Sequence, residues 1–299
     1  MQGDTNVSSE TKPEAPKLAA APAPPADVAL ALGSGPTPGF RPNQQRALTE
    51  VLALAAVVLL LGGLAYHFAG RLAAWATPLV PLEVDRKLGQ ASSAQLALVR
   101  SECSERATAY VVLLTGPLLE AAGPLPFEFE FVVQRDESVN AFALPGGYVT
   151  VNSGLLEAAE SGEEVAGVIG HEIQHALLRH GTKRILRELG GSMVLSLLTF
   201  GGEPTGIGAL SGRLTSLAYD RGQESEADVR GVDLLVRAGV DPRGLARFFE
   251  RLSREGGPTP PALLSTHPDP GERSQLALRA AAPNTFRKLP SPPRPVCDP

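Results

Sequence analysis

His171-Glu172-Ile173-Gln174-His175 is the segment from which the rest of this chain is read. On a helix, residues four apart are rotated by only about 40°, at roughly 100° per residue, so both imidazoles reach one point in space. A tetrahedral zinc ion needs that arrangement from two of its ligands. Glu172, beside them, reaches a water at the metal without ligating it, which is the place of a general base. The flanks support a helix: Ser161 with Glu164 three residues later is a capping-box signature, and Gly181 is a stop signal. Between them Val165, Val168, Ile169, Ile173, Ala176 and Leu177 are apolar on more than one face, which predicts a buried helix. The bland alternative is a helix that merely carries two histidines, since short motifs do give false matches.

Two histidines leave a zinc ion short of a third protein ligand. The arrangement HExxHxxGxxH fails, with Leu178 where Gly is required and Gly181 where the third His is required. On a continuing helix His180 lies roughly 140° from His175 and points elsewhere. Glu224-Ser225-Glu226-Ala227-Asp228 offers a carboxylate from another helix. Glu224 and Asp228 share a face, small Ala227 allows close packing, and Glu226 lies about 160° from Glu224 on the outside. Glu224 is the expected ligand, and Asp228 is expected to orient a ligand histidine. On spacing alone, Glu224 over Glu226 is a preference, because helical acids are usually solvated.

The chain has 299 residues, room for one sizeable domain plus appendages. Its 43% hydrophobic share omits the abundant glycine and suffices for a substantial core. With 27 Lys+Arg against 32 Asp+Glu, and no basic cluster interleaved with aromatics, the charge pattern argues against nucleic acid as a partner. Residues 1–46, rich in Ala and Pro, cannot bury enough surface to offset their ordering entropy and read as a disordered tail. A Pro-rich docking motif is the alternative. From Val51 to Ala69 run 19 residues without a formal charge, His67 taken as neutral. As a helix they span about 28 Å, near the roughly 30 Å hydrocarbon core of a bilayer. Residues 47–70 therefore read as one transmembrane helix, with Tyr66 and Trp75 as interfacial aromatics. A cleaved signal peptide has a shorter apolar region, and a core helix would show a polar face. Arg41 and Arg46 on one side, and Arg71, Arg86 and Lys87 on the other, leave orientation open. Cys103 and Cys297 can pair in an oxidising compartment, although spacing does not establish it; without a CxxC, a cysteine-based zinc or redox site is excluded.

Residues 82–122 read mainly as helix, punctuated by Gly116-Pro117 and Gly123-Pro124. In Phe127–Val133 the odd positions are apolar and two even ones are Glu, a strand with one buried face. Asn140–Val151 is a hairpin candidate turning at Pro145-Gly146-Gly147. Three short strands predict a small antiparallel sheet, whose edge either accepts an extended peptide or only props the metal helix. Residues 190–217, apolar with glycine hinges, are either a lid or ordinary helix-hairpin packing. Further helices are expected over Glu224–Ala238, from Asp241-Pro242 to Arg254, and from Asp269-Pro270 to Ala281, with residues 283–299 a loose Pro-rich tail.

Four stretches together resemble the gluzincin metallopeptidase family that contains the CAAX prenyl proteases and the bacterial membrane and periplasmic quality-control proteases. They are Asn140-Ala-Phe-Ala-Leu-Pro-Gly-Gly147, His171–His175 with Arg179-His180-Gly181, Glu224–Asp228, and Thr266-His267-Pro268 with Arg273. One departure is Asp220 before Arg221, where relatives commonly have Ser. The resemblance implies an α+β, mainly helical, zincin-like metalloprotease domain over 82–282 with a small antiparallel sheet, preceded by one transmembrane helix. It implies zinc held by His171, His175 and Glu224, with Glu172 as base. It places His267 and Arg273 at the active site, holding substrate or stabilising the oxyanion, and lets His267 approach the metal in a resting state. Without the resemblance His267 reads as a turn residue before a helix cap. Substrate is expected along Asn140, Ala141, Phe142 and Ala143, with Gly146 and Gly147 nearby. The expected function is a zinc endopeptidase anchored in the cell inner membrane, its domain periplasmic and its substrates misfolded or envelope proteins. A membrane-tethered chaperone that holds chains without cutting is the alternative, which an intact Glu172 argues against. A prenyl-protein protease would need several spans.

Overall fold

The computed structural model describes residues 42–99, 101, 103–189, 218–255, 261–267, 270–281 and 285–297. The tail expected over 1–46 lies almost wholly outside them, as does the lid candidate 190–217. The chain divides into a unit ending at Leu61 and a unit from Gly62 onward. Helix α1 (Pro42–Ala76) carries, over Arg46–Leu64, a 19-residue stretch apolar and long enough to cross a membrane, none of it buried. Tertiary burial therefore does not explain why this stretch avoids charge.

The second unit is built from helices around a three-stranded sheet. Helices α2 (Leu82–Val99) and α3 (Glu105–Ala122) precede the sheet. Pro117 does not end α3 but sits inside it. Strands β1 (Glu130–Gln134), β2 (Ala141–Ala143) and β3 (Tyr148–Asn152) lie in the order β1-β3-β2. Phe127, Phe131 and Val133 are buried and Glu128 and Glu130 exposed, so the alternation of that segment is as expected. The pairing is mixed, however: β2–β3 is antiparallel across the Pro145–Gly147 turn, whereas β1–β3 is parallel. The correction has a simple cause. Alternation fixes which face a strand buries, and it is the same for both strand directions. Gly146 and Gly147 take positive φ of 76° and 93°, and a Cβ on Gly146 would lie 2.7 Å from the Cα of Arg86. Gly146 thus serves the turn and its contact with α2, and Gly147 the turn and its close approach to the Glu128 carbonyl.

Helix α5 (Gly162–Leu177), preceded by the short α4 (Ser153–Ala158), is the centre of the main core. Ser161 caps it by accepting from the Glu164 N–H; the Glu164 carboxylate reaches back to the Glu160 N–H and pairs with Arg251. Its end differs from expectation. The left-handed position is Arg179, at φ 56°, and Gly181 lies inside the next helix, α6 (His180–Leu189). Helices α7 (Arg221–Arg237), α8 (Arg243–Glu255), α9 (Ala262–Thr266) and α10 (Pro270–Ala281) complete the domain. Asp220, the departure noted above, makes a full capping box with Gln223 at the start of α7.

The C-terminal segment is not loose over its described part. Cys297 is disulfide-bonded to Cys103, and Val296 is buried in the main core. Arg294 donates to the carbonyls of Leu156, Glu157 and Ala159, and the Tyr110 hydroxyl donates to the Pro290 carbonyl.

Candidate metal centre

Four of the chain's five histidines gather at the far end of α5. His171, His175, Glu224 and His267 each offer a donor atom within 4.8 Å of the others, and all four residues are buried. The His171 and His175 Nε2 atoms are 2.9 Å apart, and His267 Nδ1 is 3.2 Å from His171 Nε2. Glu224 brings Oε2 to 3.4 Å from His171 Nε2 and Oε1 to 3.3 Å from His175 Nε2. Of the two acids Glu224 and Glu226, Glu224 is the one that lies against His171 and His175, while Glu226 lies near His180. Packing makes it possible: Gly231 of α7 lies against the His171 backbone, where a Cβ would be 3.4 Å from its Cα.

Each donor is backed by a second group. The Asp228 Oδ1 atom is 2.8 Å from His171 Nδ1, which puts a carboxylate behind the ring nitrogen that faces away from the cluster. Arg273 donates from Nε to Asp228 at 2.6 Å and from a terminal nitrogen to Glu224 at 3.1 Å, and it stacks on Phe249. Arg273, for which the resemblance implies a place at the active site, here commits its guanidinium to the two acids behind the cluster. His267 does reach the cluster, and its Nε2 lies 3.3 Å from Glu172 Oε1. Glu172 Oε2 accepts the Ala143 N–H at 2.9 Å, while Oε1 has no hydrogen-bond partner among the described residues.

Two contributors went unrecognised in the sequence. The Tyr219 ring stacks on His175 at 3.9 Å, and its hydroxyl donates to the Ala143 carbonyl at 3.4 Å. His180, expected to point away, faces the Nδ1 of His175 with its own Nδ1 at 2.9 Å. The helix break at Arg179 turns it back. A non-glycine left-handed residue gives no sequence signal.

Electrostatics favour a cation here. Two imidazole nitrogens and a carboxylate oxygen converge in a buried site, an arrangement that calls for positive charge between them, whether a proton or a metal ion. Burial works to lower the pKa of His171, but Asp228 and Glu224 outweigh it and hold it up to about 9. Burial keeps His175 well below its ordinary value, and therefore neutral as a ligand must be. Burial alone would raise Glu224, yet His267 and His171 hold it far below the carboxylate range. Glu172 is raised by burial, against the pull of His267 and His171. The donor set of imidazoles and a carboxylate suits a divalent metal.

The sequence matches Peptidase family M48 over residues 117–281, more than half of the chain. The chain belongs to peptidase family M48. Its relatives include the mitochondrial metalloendopeptidase OMA1 of Arabidopsis thaliana, 38% identical over 51% of this chain and 31% of the relative. A putative beta-barrel assembly-enhancing protease of Vibrio cholerae is 34% identical over 55% of this chain and 37% of its own length. The metalloprotease LoiP of Escherichia coli is 32% identical over 62% and 73%. The chain thus spans about a third of the first two.

Proposed function

We propose that this M48 chain is a membrane-anchored zinc endopeptidase that cuts misfolded or envelope proteins. The observation that carries the reading is the gathering of donor atoms from His171, His175, Glu224 and His267 within 4.8 Å of one another, with Glu172 Oε1 3.3 Å from His267 Nε2 beside them. When bound, zinc supplies Lewis acidity that polarises a peptide carbonyl and acidifies water. The remaining work falls to the chain's own residues. Asp228 and Arg273 hold His171 and Glu224 in place. Glu172 takes the proton from the attacking water and returns it to the leaving amine, and its raised pKa suits that exchange.

Substrate enters beside β2, the edge strand next to Glu172. Asn140 and Leu144 pair with β3, so the N–H and C=O groups of Ala141 and Ala143 point away from β3, the Ala141 N–H donating to the Asn140 side-chain oxygen. Those of Ala143 are engaged by Glu172 and Tyr219, and His267 Nδ1 stands among the ligand atoms. Both features describe a resting arrangement that an incoming strand displaces.

The apolar stretch of α1 supplies the anchor, through residues 47–70. The Cys103–Cys297 bond supports a domain outside the cytoplasm, on the periplasmic side of the inner membrane, because such bonds persist in oxidising compartments. The names of the beta-barrel assembly-enhancing relatives support envelope substrates. In the test, purified Glu172→Gln protein retains zinc and loses cleavage of an unfolded protein such as casein. Undiminished cleavage overturns the reading.

A further inference from the structure

We infer that His180 fixes His175 as a metal ligand by accepting, at its own Nδ1, a hydrogen bond from the His175 Nδ1–H. The inference rests on the reading of the cluster as a metal centre. His175 turns Nε2 toward His171 Nε2 at 2.9 Å and Glu224 at 3.3 Å, so Nε2 is the atom that faces the metal point. A neutral imidazole that gives up the lone pair of Nε2 keeps its one proton on Nδ1. In front of that Nδ1, at 2.9 Å, stands His180 Nδ1. Of two such nitrogens one must donate and the other accept, so the proton of His180 resides on its Nε2. That atom lies 3.5 Å from Glu226 Oε2 and has no closer partner among the described residues.

The two ligand histidines are therefore held unequally. His171 faces a carboxylate, which can only accept, whereas His175 depends on one tautomer of a second imidazole. His180 is fully buried, and its neighbours place it. Arg179, in the left-handed conformation, ends α5 and turns the next residue back toward the metal helix. The Arg179 guanidinium donates to the Thr77 and Val80 carbonyls at 2.8 Å each and pairs with Asp85. Tyr219, stacked on His175, fixes the plane of that ring but not which nitrogen carries its proton. His180 is thus a positioning residue.

Three variants of the full chain in detergent separate this role from simple packing. Phe in His180→Phe fills the ring's space without an acceptor. Asn in His180→Asn places an amide oxygen near the Nδ1 position, and Gln in His180→Gln places it near Nε2. Zinc affinity, read by competition with a chromophoric chelator, falls about 10- to 100-fold in the Phe and Gln variants. In the Asn variant it returns to within roughly threefold of wild type, because the acceptor is restored. Long-range proton–nitrogen NMR of the histidine-labelled, zinc-loaded protein shows His175 protonated at Nδ1 in the wild type and Asn forms. If the Phe variant fails to fold, the Asn–Gln pair decides alone. Wild-type affinity in the Phe variant, or equal affinities for Asn and Gln, overturns the inference. A wild type that takes up no zinc overturns the metal reading itself, a separate result.

Discussion

Replacing Arg179 by Gly sets two opposite effects against each other at one position. Arg179 holds φ 56°, a conformation that costs a side-chain-bearing residue about 1 kcal/mol and glycine almost nothing. A substitution judged on backbone alone would stabilise the protein. The side chain argues the other way. Asp85, on α2, is 0% exposed, and Arg179 is its charged partner, with Thr182 as a further donor. Stranding such a buried charge costs about 3–5 kcal/mol. The Thr77 and Val80 carbonyls lose their donors as well, at about 1 kcal/mol each. The side-chain loss outweighs the backbone gain, leaving a net destabilisation of about 4–6 kcal/mol. At roughly 2–4 °C per kcal/mol for a domain of this size, the melting temperature drops by about 8–24 °C. Circular dichroism melts of the full chain in detergent measure it. Adding Asp85→Asn to the Arg179→Gly protein recovers part of the loss, since no charge is then stranded. An Arg179→Gly protein that melts within 2 °C of wild type, or above it, refutes the reasoning.

Two other outcomes follow from residues outside the ligand set. The Cys103–Cys297 bond closes a loop 194 residues long, so serine at both positions lowers stability by up to about 5 kcal/mol in denaturant titrations; no change would mean the strap is held by Arg294 and Tyr110 alone. In the metal-free protein, burial pushes the His180 pKa down to about 4, whereas the unfolded chain takes up that proton near the usual 6.5. The unfolded state binds more protons in between, so the contribution of His180 to stability is fully present above pH 6.5 and is lost as pH drops toward 4, by about 3 kcal/mol. Denaturant midpoints across that range show the slope in wild type and its flattening in His180→Phe.

The residues of the candidate metal cluster were legible because their geometry is local. His171 and His175 share a helix face by spacing, and Glu224 stands out by having Ala227 and Asp228 at fixed offsets on a second helix. Other features depend on contacts between distant segments. The parallel β1–β3 pairing leaves no trace in an alternating strand. Asp85 looks like any helical surface acid until Arg179 and Thr182 meet it across more than ninety residues. His180 was assigned to the wrong face because the angle was counted along an unbroken helix, and the break falls at an arginine. The loose reading of the C-terminal prolines failed for a related reason: composition does not reveal that Arg294 finds three carbonyls at the C-terminal end of α4.

X-ray absorption at the zinc edge of the purified full chain tests the central claim most directly. The account predicts a shell of nitrogen and oxygen near 2.0–2.1 Å with imidazole scattering, lost when Glu224 is replaced by Gln. Absence of zinc, a sulfur shell near 2.3 Å, or an unchanged spectrum in the Glu224→Gln protein would contradict it.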